Sequence, residues 1–68
     1  MMSLSEVIEL IDPNMEGNAW LNFIDEHGEL QCKANTMSSF LTPMKHRKVL
    51  QIDAAAENLF NVYLVGDV

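Results

Sequence analysis

The spacing of apolar residues near the start of the chain predicts a helix over about residues 4–11. Apolar positions recur there at intervals of three and four residues, which places them on one helical face. These positions are Leu4, Val7, Ile8 and Ile11. Ser3 and Glu6 have the spacing of a capping box, with Ser5 as a rival cap. Pro13 ends the helix because it restricts the preceding residue and cannot continue the hydrogen-bond ladder.

A β-hairpin is predicted over residues 19–34. Residues 19–24 are rich in aromatic and β-branched side chains, which favour a strand. Asp25 and Gly28 occupy the first and fourth positions of a type I turn. Residues 29–34 alternate apolar and polar side chains, which predicts a second strand. Its apolar face comprises Leu30, Cys32 and Ala34.

The second half of the chain predicts a short helix and two further strands. Asn35 or Thr36 is placed to cap the helix, and Pro43 limits its length. Its apolar stripe is Met37, Phe40, Leu41 and Met44. Residues 47–53 alternate as a third strand does, and residues 60–65 favour a fourth.

These elements predict an α+β fold in a single domain over residues 1–68. The order is an N-terminal helix, a β-hairpin, a short helix and two further strands, with an antiparallel sheet of about four strands. Residues 54–59 are ambiguous, because their alanines favour a helix but the segment is too short for a stable one. A helical turn and a wide connection both fit this segment.

The first and fourth predicted strands carry apolar residues on both faces, which is typical of strands covered on both sides. In the first strand, Trp20 and Ile24 alternate with Leu21 and Phe23. In the fourth, Tyr63 and Val65 alternate with Val62 and Leu64. Either the two helices cover one face each, or a second subunit covers the remainder. Leftover apolar surface in a small domain is a candidate interface.

Composition limits what can stabilise this domain. The 68 residues include twenty Leu, Ile, Val and Phe, enough to favour a folded chain over a disordered one. A chain of this size buries only about 60% of its unfolded surface. Cys32 is the single cysteine, so no internal disulfide forms, and no paired Cys or His spacing indicates a metal or other cofactor. The sequence therefore predicts a well-packed core or self-association as the source of stability.

The net charge of −6 is distributed unevenly. Residues 1–44 carry −6, residues 45–48 carry +3 and residues 49–68 carry −3. An acidic chain repels phosphate backbones, so nucleic acid is an unexpected partner. The basic segment, residues 45–48, fits a solvated loop, and it also fits a site for phosphate or an acidic partner. An alternative function is therefore a small β-barrel-like nucleic-acid or ligand binder that uses this segment.

Catalytic chemistry is not indicated by the sequence. His27 lies at the predicted hairpin tip beside Asp25 and Glu26, but adjacent turn residues splay apart and do not converge on one proton or metal. Cys32 shares the apolar strand face, where burial raises a thiol pKa and lowers its reactivity. The three isolated glycines do not form a phosphate-binding loop. We therefore expect no enzymatic activity.

The sequence favours a non-enzymatic, acidic protein-interaction module that self-associates, with a homodimer as its specific form. The candidate contact residues are Trp20, Tyr63, Val65, Lys45, Arg47 and Lys48. In size, acidity and simple topology the chain resembles small proteins of phages and mobile elements, which suggests an inhibitor or adaptor. A lone thiol, no signal peptide and no apolar run of membrane-spanning length favour the cytoplasm and no membrane.

Overall fold

A computed structural model describes residues 2–66 as a five-stranded sheet with one α-helix and one 3-10 helix. The elements are β1 (Met2–Ser3), α1 (Leu4–Ile11), β2 (Trp20–Ile24), β3 (Leu30–Asn35), the 3-10 helix (Ser39–Met44), β4 (Lys48–Ala56) and β5 (Leu59–Leu64). The sheet order is β1-β4-β5-β2-β3. The α+β prediction is confirmed.

The sheet is mixed, so the prediction of a four-stranded antiparallel sheet is wrong in two respects. β2 and β5 pair in parallel at the centre, while the other neighbours pair antiparallel. The fifth strand, β1, consists of Met2 and Ser3 alone and pairs with Val49 and Lys48. Two residues are too few to show a periodic pattern, and strand periodicity does not specify which strands become neighbours.

The predicted helix over residues 4–11 is confirmed as α1. Ser3 Oγ accepts from the Glu6 backbone N–H, and Glu6 Oε1 accepts from the Ser3 backbone N–H, which completes the capping box. At the other end, the Asp12 backbone N–H donates to Ile8 O at 2.8 Å, and Pro13 follows. The capping box and the proline therefore set the two ends of the helix.

The buried carboxylate of Asp12 organises the loop after α1. It accepts from the Thr36 hydroxyl at 2.6 Å and from the backbone N–H groups of Glu16 at 3.0 Å and Gly17 at 2.9 Å. The Thr36 hydrogen bond, with the two backbone bonds, lowers the pKa of Asp12 in spite of its burial. This network ties the loop to the end of β3, 24 residues away in sequence.

The hairpin turn has the predicted residues in the predicted places. The Gly28 N–H donates to Asp25 O at 3.0 Å, and Gly28 has a φ of 82°, which favours glycine. The Asp25 carboxylate accepts from the His27 and Glu29 N–H groups and from Gln31 Nε2. These bonds, with the one from Glu29 foremost, lower the pKa of Asp25.

A β-bulge changes one predicted face of the hairpin. Pairing shifts between β2 and β3, so that Gln31 is an extra residue and Ile24 pairs with Leu30. Cys32 and Ala34 face the core as predicted, but Leu30 is 62% exposed. The prediction that Leu30 shares their face is therefore wrong, because the bulge breaks the alternation.

The segment after β3 forms a 3-10 helix that begins later than predicted. Ser38, not Asn35 or Thr36, is the N-cap, and its Oγ accepts from the Phe40 N–H. Asn35 and Thr36 instead belong to the end of β3 and its turn, where Thr36 bonds Asp12. Pro43 lies inside the helix, and its missing N–H is consistent with a short helical segment.

The ambiguous segment over residues 54–59 is neither a helical turn nor a wide connection, so both predictions are wrong. β4 continues to Ala56, which pairs with Leu59 across a two-residue turn. Asn58 occupies that turn with a φ of 57°, a conformation that Asn tolerates better than most residues. A tight hairpin turn therefore replaces the predicted connection, because pairing with β5 outweighs the helix preference of the alanines.

Candidate interaction surface

Both helices pack on the same face of the sheet. Their buried side chains, Leu4, Val7, Ile8, Leu41 and Met44, join one core cluster with alternate residues of the strands. The strand members that are fully buried are Leu21, Phe23, Val62 and Leu64. The prediction that each helix covers a different face is therefore wrong, and a second subunit as cover for the other face stays a prediction.

The opposite face, which we call the open face, is not covered by any element among residues 2–66. It is formed by strand residues of the other parity. On β2 and β3 these are Trp20, Asn22, Ile24, Leu30, Lys33 and Asn35, and on β4 and β5 they are Gln51, Asp53, Ala56, Leu59, Asn61 and Tyr63. The open face is therefore a mixed apolar and polar surface across four strands.

Four polar residues, which we call the polar row, cross the middle of the open face. The register pairs Lys33 with Asn22, Asn22 with Asn61, and Asn61 with Asp53. Asn22 Nδ2 donates to Asn61 Oδ1 at 3.1 Å, and Gln51 Nε2 donates to both carboxylate oxygens of Asp53 at 3.0 and 2.9 Å. The polar row therefore has a cation on β3, two amides at the centre and a carboxylate on β4. Three strand spacings separate Lys33 from Asp53, which places their backbones about 14 Å apart.

Apolar side chains flank the polar row on both sides. On one side Trp20 pairs with Leu59, and on the other Ile24 pairs with Tyr63. Trp20 is 45% exposed, and Lys33 Nζ lies 5.5 Å from the centroid of its ring, within the range of a cation–π contact. The open face therefore combines exposed aromatic surface with polar groups that are fixed by hydrogen bonds.

The edges of the sheet are less suited to adding another strand. β3 forms one edge, with its bulge at Gln31 and with Lys33 in the strand. β4 forms most of the other edge, and its pairing with β5 shifts at Leu50 and at Ala55. Bulges and edge lysines oppose edge-to-edge association. The geometry therefore favours the open face over the edges as a contact surface.

The backbone of residues 45–48 supports the first turn of α1. The N–H groups of Leu4 and Ser5 donate to Arg47 O at 2.8 Å and Lys45 O at 2.9 Å. A helix leaves these first N–H groups without partners of its own, so the segment completes the helix N-terminus. Arg47 Nη2 also donates to Val65 O at 2.8 Å. This predicted basic site thus has a role within the fold.

The three cations of this segment have separate surroundings. Lys45 lines a groove of about 380 Å³ beside α1, together with Glu9 and Asp12. Arg47 is engaged with Val65, and Lys48 is exposed at the start of β4. The three basic side chains therefore do not share one site: Lys45 lies near carboxylates, Arg47 bonds a backbone carbonyl and Lys48 is exposed to solvent.

Of the predicted contact residues, the structure brings Trp20 and Tyr63 together on the open face. Val65 lies just beyond β5, where its N–H donates to Lys48 O at 3.1 Å. Sequence reasoning missed the polar row and Leu59 as parts of the same surface. Strand alternation places each residue on a face, but the row emerges only from the parallel pairing of β2 with β5, which periodicity does not reveal.

The remaining reactive groups are dispersed. Cys32 packs against the core cluster, and burial raises the pKa of its thiol, as expected for a core cysteine. His27 is exposed at the hairpin tip, with Nε2 4.0 Å from Glu26 Oε1. Within residues 2–66, no group of His, Cys, Asp and Glu is arranged to hold a metal ion. Over the same residues, the helices are too short to cross a membrane.

In comparisons with known proteins, no family model, no curated protein and no solved structure matches this chain.

Proposed function

We propose that this protein is a small non-enzymatic interaction module that self-associates through the open face. The observation that carries the proposal is the placement of both helices on one face, while the central strands β2 and β5 keep apolar side chains on the other. Removing the exposed ring of Trp20 and the partly exposed Leu59 and Tyr63 from water favours association. Packing of two sheets face to face is a common solution for such surfaces.

The size of the open face supports a weak dimer. Four strands at a spacing of about 4.8 Å and five residues at a rise of about 3.3 Å give a footprint of roughly 19 by 17 Å. This footprint, about 320 Å² in projection, is well below the roughly 800 Å² per partner of a standard interface and therefore fits only a weak contact. We therefore expect a dissociation constant in the micromolar range, so that monomer and dimer exchange with concentration.

Sedimentation of the full chain from about 1 µM to about 1 mM tests the proposal, because a weak dimer changes its sedimentation coefficient over this range. The matched variants are Trp20→Glu on the open face and Leu10→Glu on α1. Both replace an exposed apolar side chain by a carboxylate, since Trp20 is 45% and Leu10 is 67% exposed. We expect Trp20→Glu to weaken association about tenfold or more and Leu10→Glu to leave it unchanged.

Two results would overturn this function. One is a wild-type chain that stays monomeric at the highest concentration. The other is association that both variants weaken equally, since the open face would then have no special part in it. Circular dichroism of each variant at low concentration checks that the fold is retained.

The alternative function, a nucleic-acid or ligand binder that uses residues 45–48, stays a prediction. Lys45, Arg47 and Lys48 each have a neighbour within the fold or lie at separate positions, which favours a structural role for the segment. This alternative predicts oligonucleotide binding at low salt that is lost on Lys45→Glu or Lys48→Glu.

A further inference from the structure

We propose that two copies of this chain pack open face against open face in one particular orientation. The twofold axis that relates the two copies runs parallel to the strands and lies between β2 and β5. This inference rests on the proposed function and adds the partner's orientation and the residues that select it. The polar row carries the argument, because its charges are arranged asymmetrically across the sheet.

Rotation about this axis exchanges the two sides of the sheet. Each strand therefore lies over the strand at the mirrored position in the second copy: β3 over β4, and β2 over β5. Lys33 then faces Asp53 of the second copy, and Asp53 faces Lys33 of the second copy. The symmetry produces two such pairs, so every charge on the polar row has an opposite charge across the interface.

The other face-to-face twofold arrangement has its axis perpendicular to the strands. That rotation keeps each strand over its own equivalent, so Lys33 faces Lys33 and Asp53 faces Asp53. Like charges placed opposite each other disfavour this arrangement. The charge pattern on a single chain therefore selects between the two ways in which this face can meet its copy.

The two central amides favour the same orientation. Asn22 uses its side-chain N–H to bond Asn61, which leaves the Asn61 side-chain N–H groups and the Asn22 side-chain carbonyl for further bonds. With the axis between β2 and β5, Asn61 lies over Asn22 of the second copy. Four amides can then close a ring of hydrogen bonds at the centre of the interface. A polar group at the centre of an apolar contact can specify register and orientation, as in coiled coils.

The apolar flanks are also complementary under this rotation. Trp20 lies over Leu59 of the second copy, and Ile24 lies over Tyr63 of the second copy, because each pair occupies β2 and β5 at one level. Sheets that pack face to face keep their strands within about 30° of each other, so opposed side chains stay within reach near the axis. Lys33 and Asp53 lie farther from the axis, where the strands of the two copies diverge. The long lysine side chain spans the distance between the two positions.

Charge exchange between positions 33 and 53 tests the inference. Lys33→Glu alone and Asp53→Lys alone each replace two complementary pairs by two like-charge pairs, and we expect each to weaken dimerisation about tenfold. The double variant Lys33→Glu/Asp53→Lys restores both pairs in reversed sense, so its dissociation constant returns to within about threefold of wild type.

An equimolar mixture of the two single variants gives the most specific result. In the mixed dimer the new glutamate at position 33 faces the new lysine at position 53, and the unchanged Lys33 faces the unchanged Asp53. We therefore expect heterodimers to form about as tightly as the wild-type dimer. Sedimentation measures the affinity, and native mass spectrometry with one variant labelled with heavy nitrogen identifies the heterodimer.

Glu9→Lys and Lys45→Glu serve as controls, because they change the net charge by the same amounts at two positions that line the groove beside α1. Both should leave dimerisation within about twofold of wild type.

The outcomes separate the orientation from the proposed function. If Trp20→Glu disrupts the dimer but neither charge variant does, or if the mixture fails to recover affinity, the orientation is wrong and the open-face contact stands. If wild type remains monomeric, the proposed function fails as well. Recovery in both the double variant and the mixture supports the orientation.

Discussion

The two faces of the central strands differ in what covers them more than in what they contain. On the covered face, Leu21 and Phe23 of β2 are fully buried beneath the helices. On the open face, Trp20 of the same strand is 45% exposed, while Ile24 is buried near Tyr63 without belonging to the core cluster. Both faces carry apolar residues, so the pattern along a strand does not reveal which face becomes the core.

The difference between the faces follows from how few covering elements the chain has. α1 supplies eight residues and the 3-10 helix six, and the core cluster contains buried side chains from both. Together they complete one core. Stability of the single chain should therefore depend on the covered face, and association should depend on the open face.

The largest expected effect comes from truncating the covered face. Phe23→Ala removes a fully buried ring from the core cluster, and we expect a loss of about 3–5 kcal/mol in the free energy of unfolding. Asn22→Ala, one residue earlier and on the open face, should cost about 1 kcal/mol through its bond to Asn61. Urea unfolding at a concentration well below the measured dissociation constant, so that association does not contribute, measures both.

Equal losses for these two variants would break the distinction between the faces. If Phe23→Ala leaves no folded protein, Phe23→Leu provides a milder truncation of the same side chain. Its loss should still exceed that of Asn22→Ala.

Local features of the fold could be predicted from the sequence because their causes are local. The capping box of Ser3 and Glu6 and the stop at Pro13 define α1, and Asp25 with Gly28 defines the hairpin turn. Each depends on residues only a few positions apart. The single-domain assignment stays a prediction, since no observation in the structure tests it.

Features that depend on long-range pairing could not be predicted in this way. The sequence predicts Trp20 and Tyr63 as contact residues, but the polar row requires the parallel pairing of β2 with β5. The bulge that exposes Leu30 is likewise a product of pairing. The buried bond between Asp12 and Thr36 joins two loops and has no signature in the periodic pattern.

The buried carboxylate of Asp12 should contribute more to stability than the half-buried carboxylate of Asp53 in the polar row. Asp12→Ala removes the acceptor of three hydrogen bonds, and we expect the melting temperature to fall by roughly 5–10 °C at neutral pH. Asp53→Ala removes a carboxylate that bonds only the exposed Gln51 side chain, and it should change the melting temperature by less than about 3 °C. Thermal unfolding followed by circular dichroism makes the comparison.

The pH dependence gives a second test of Asp12. Its pKa in the folded state lies below the ordinary value of 3.8, so the carboxylate stabilises the fold above that pH and the stabilisation is lost as the pH falls below it. Thr36→Val removes the hydroxyl that lowers this pKa most and should flatten the loss of stability between about pH 4 and pH 2. An unchanged acid dependence in Thr36→Val would contradict this role for the Asp12–Thr36 bond.

The smallest expected change in the free energy of unfolding is at Asn58. This residue lies in a turn and belongs to neither face, so its variants serve as a reference for those on the two faces. This residue has a φ of 57° in the turn between β4 and β5, and its carbonyl accepts from the Trp20 N–H at 2.8 Å. Asn58→Ala should cost about 1 kcal/mol because alanine disfavours this conformation, whereas Asn58→Gly should be nearly neutral. Urea unfolding distinguishes the two, and neither variant should alter dimerisation, since both retain the backbone carbonyl. If Asn58→Ala proved as stable as Asn58→Gly, backbone conformation would not explain why residues 54–59 form a tight turn. Pairing of β4 with β5 would then account by itself for the extended conformation of the alanines.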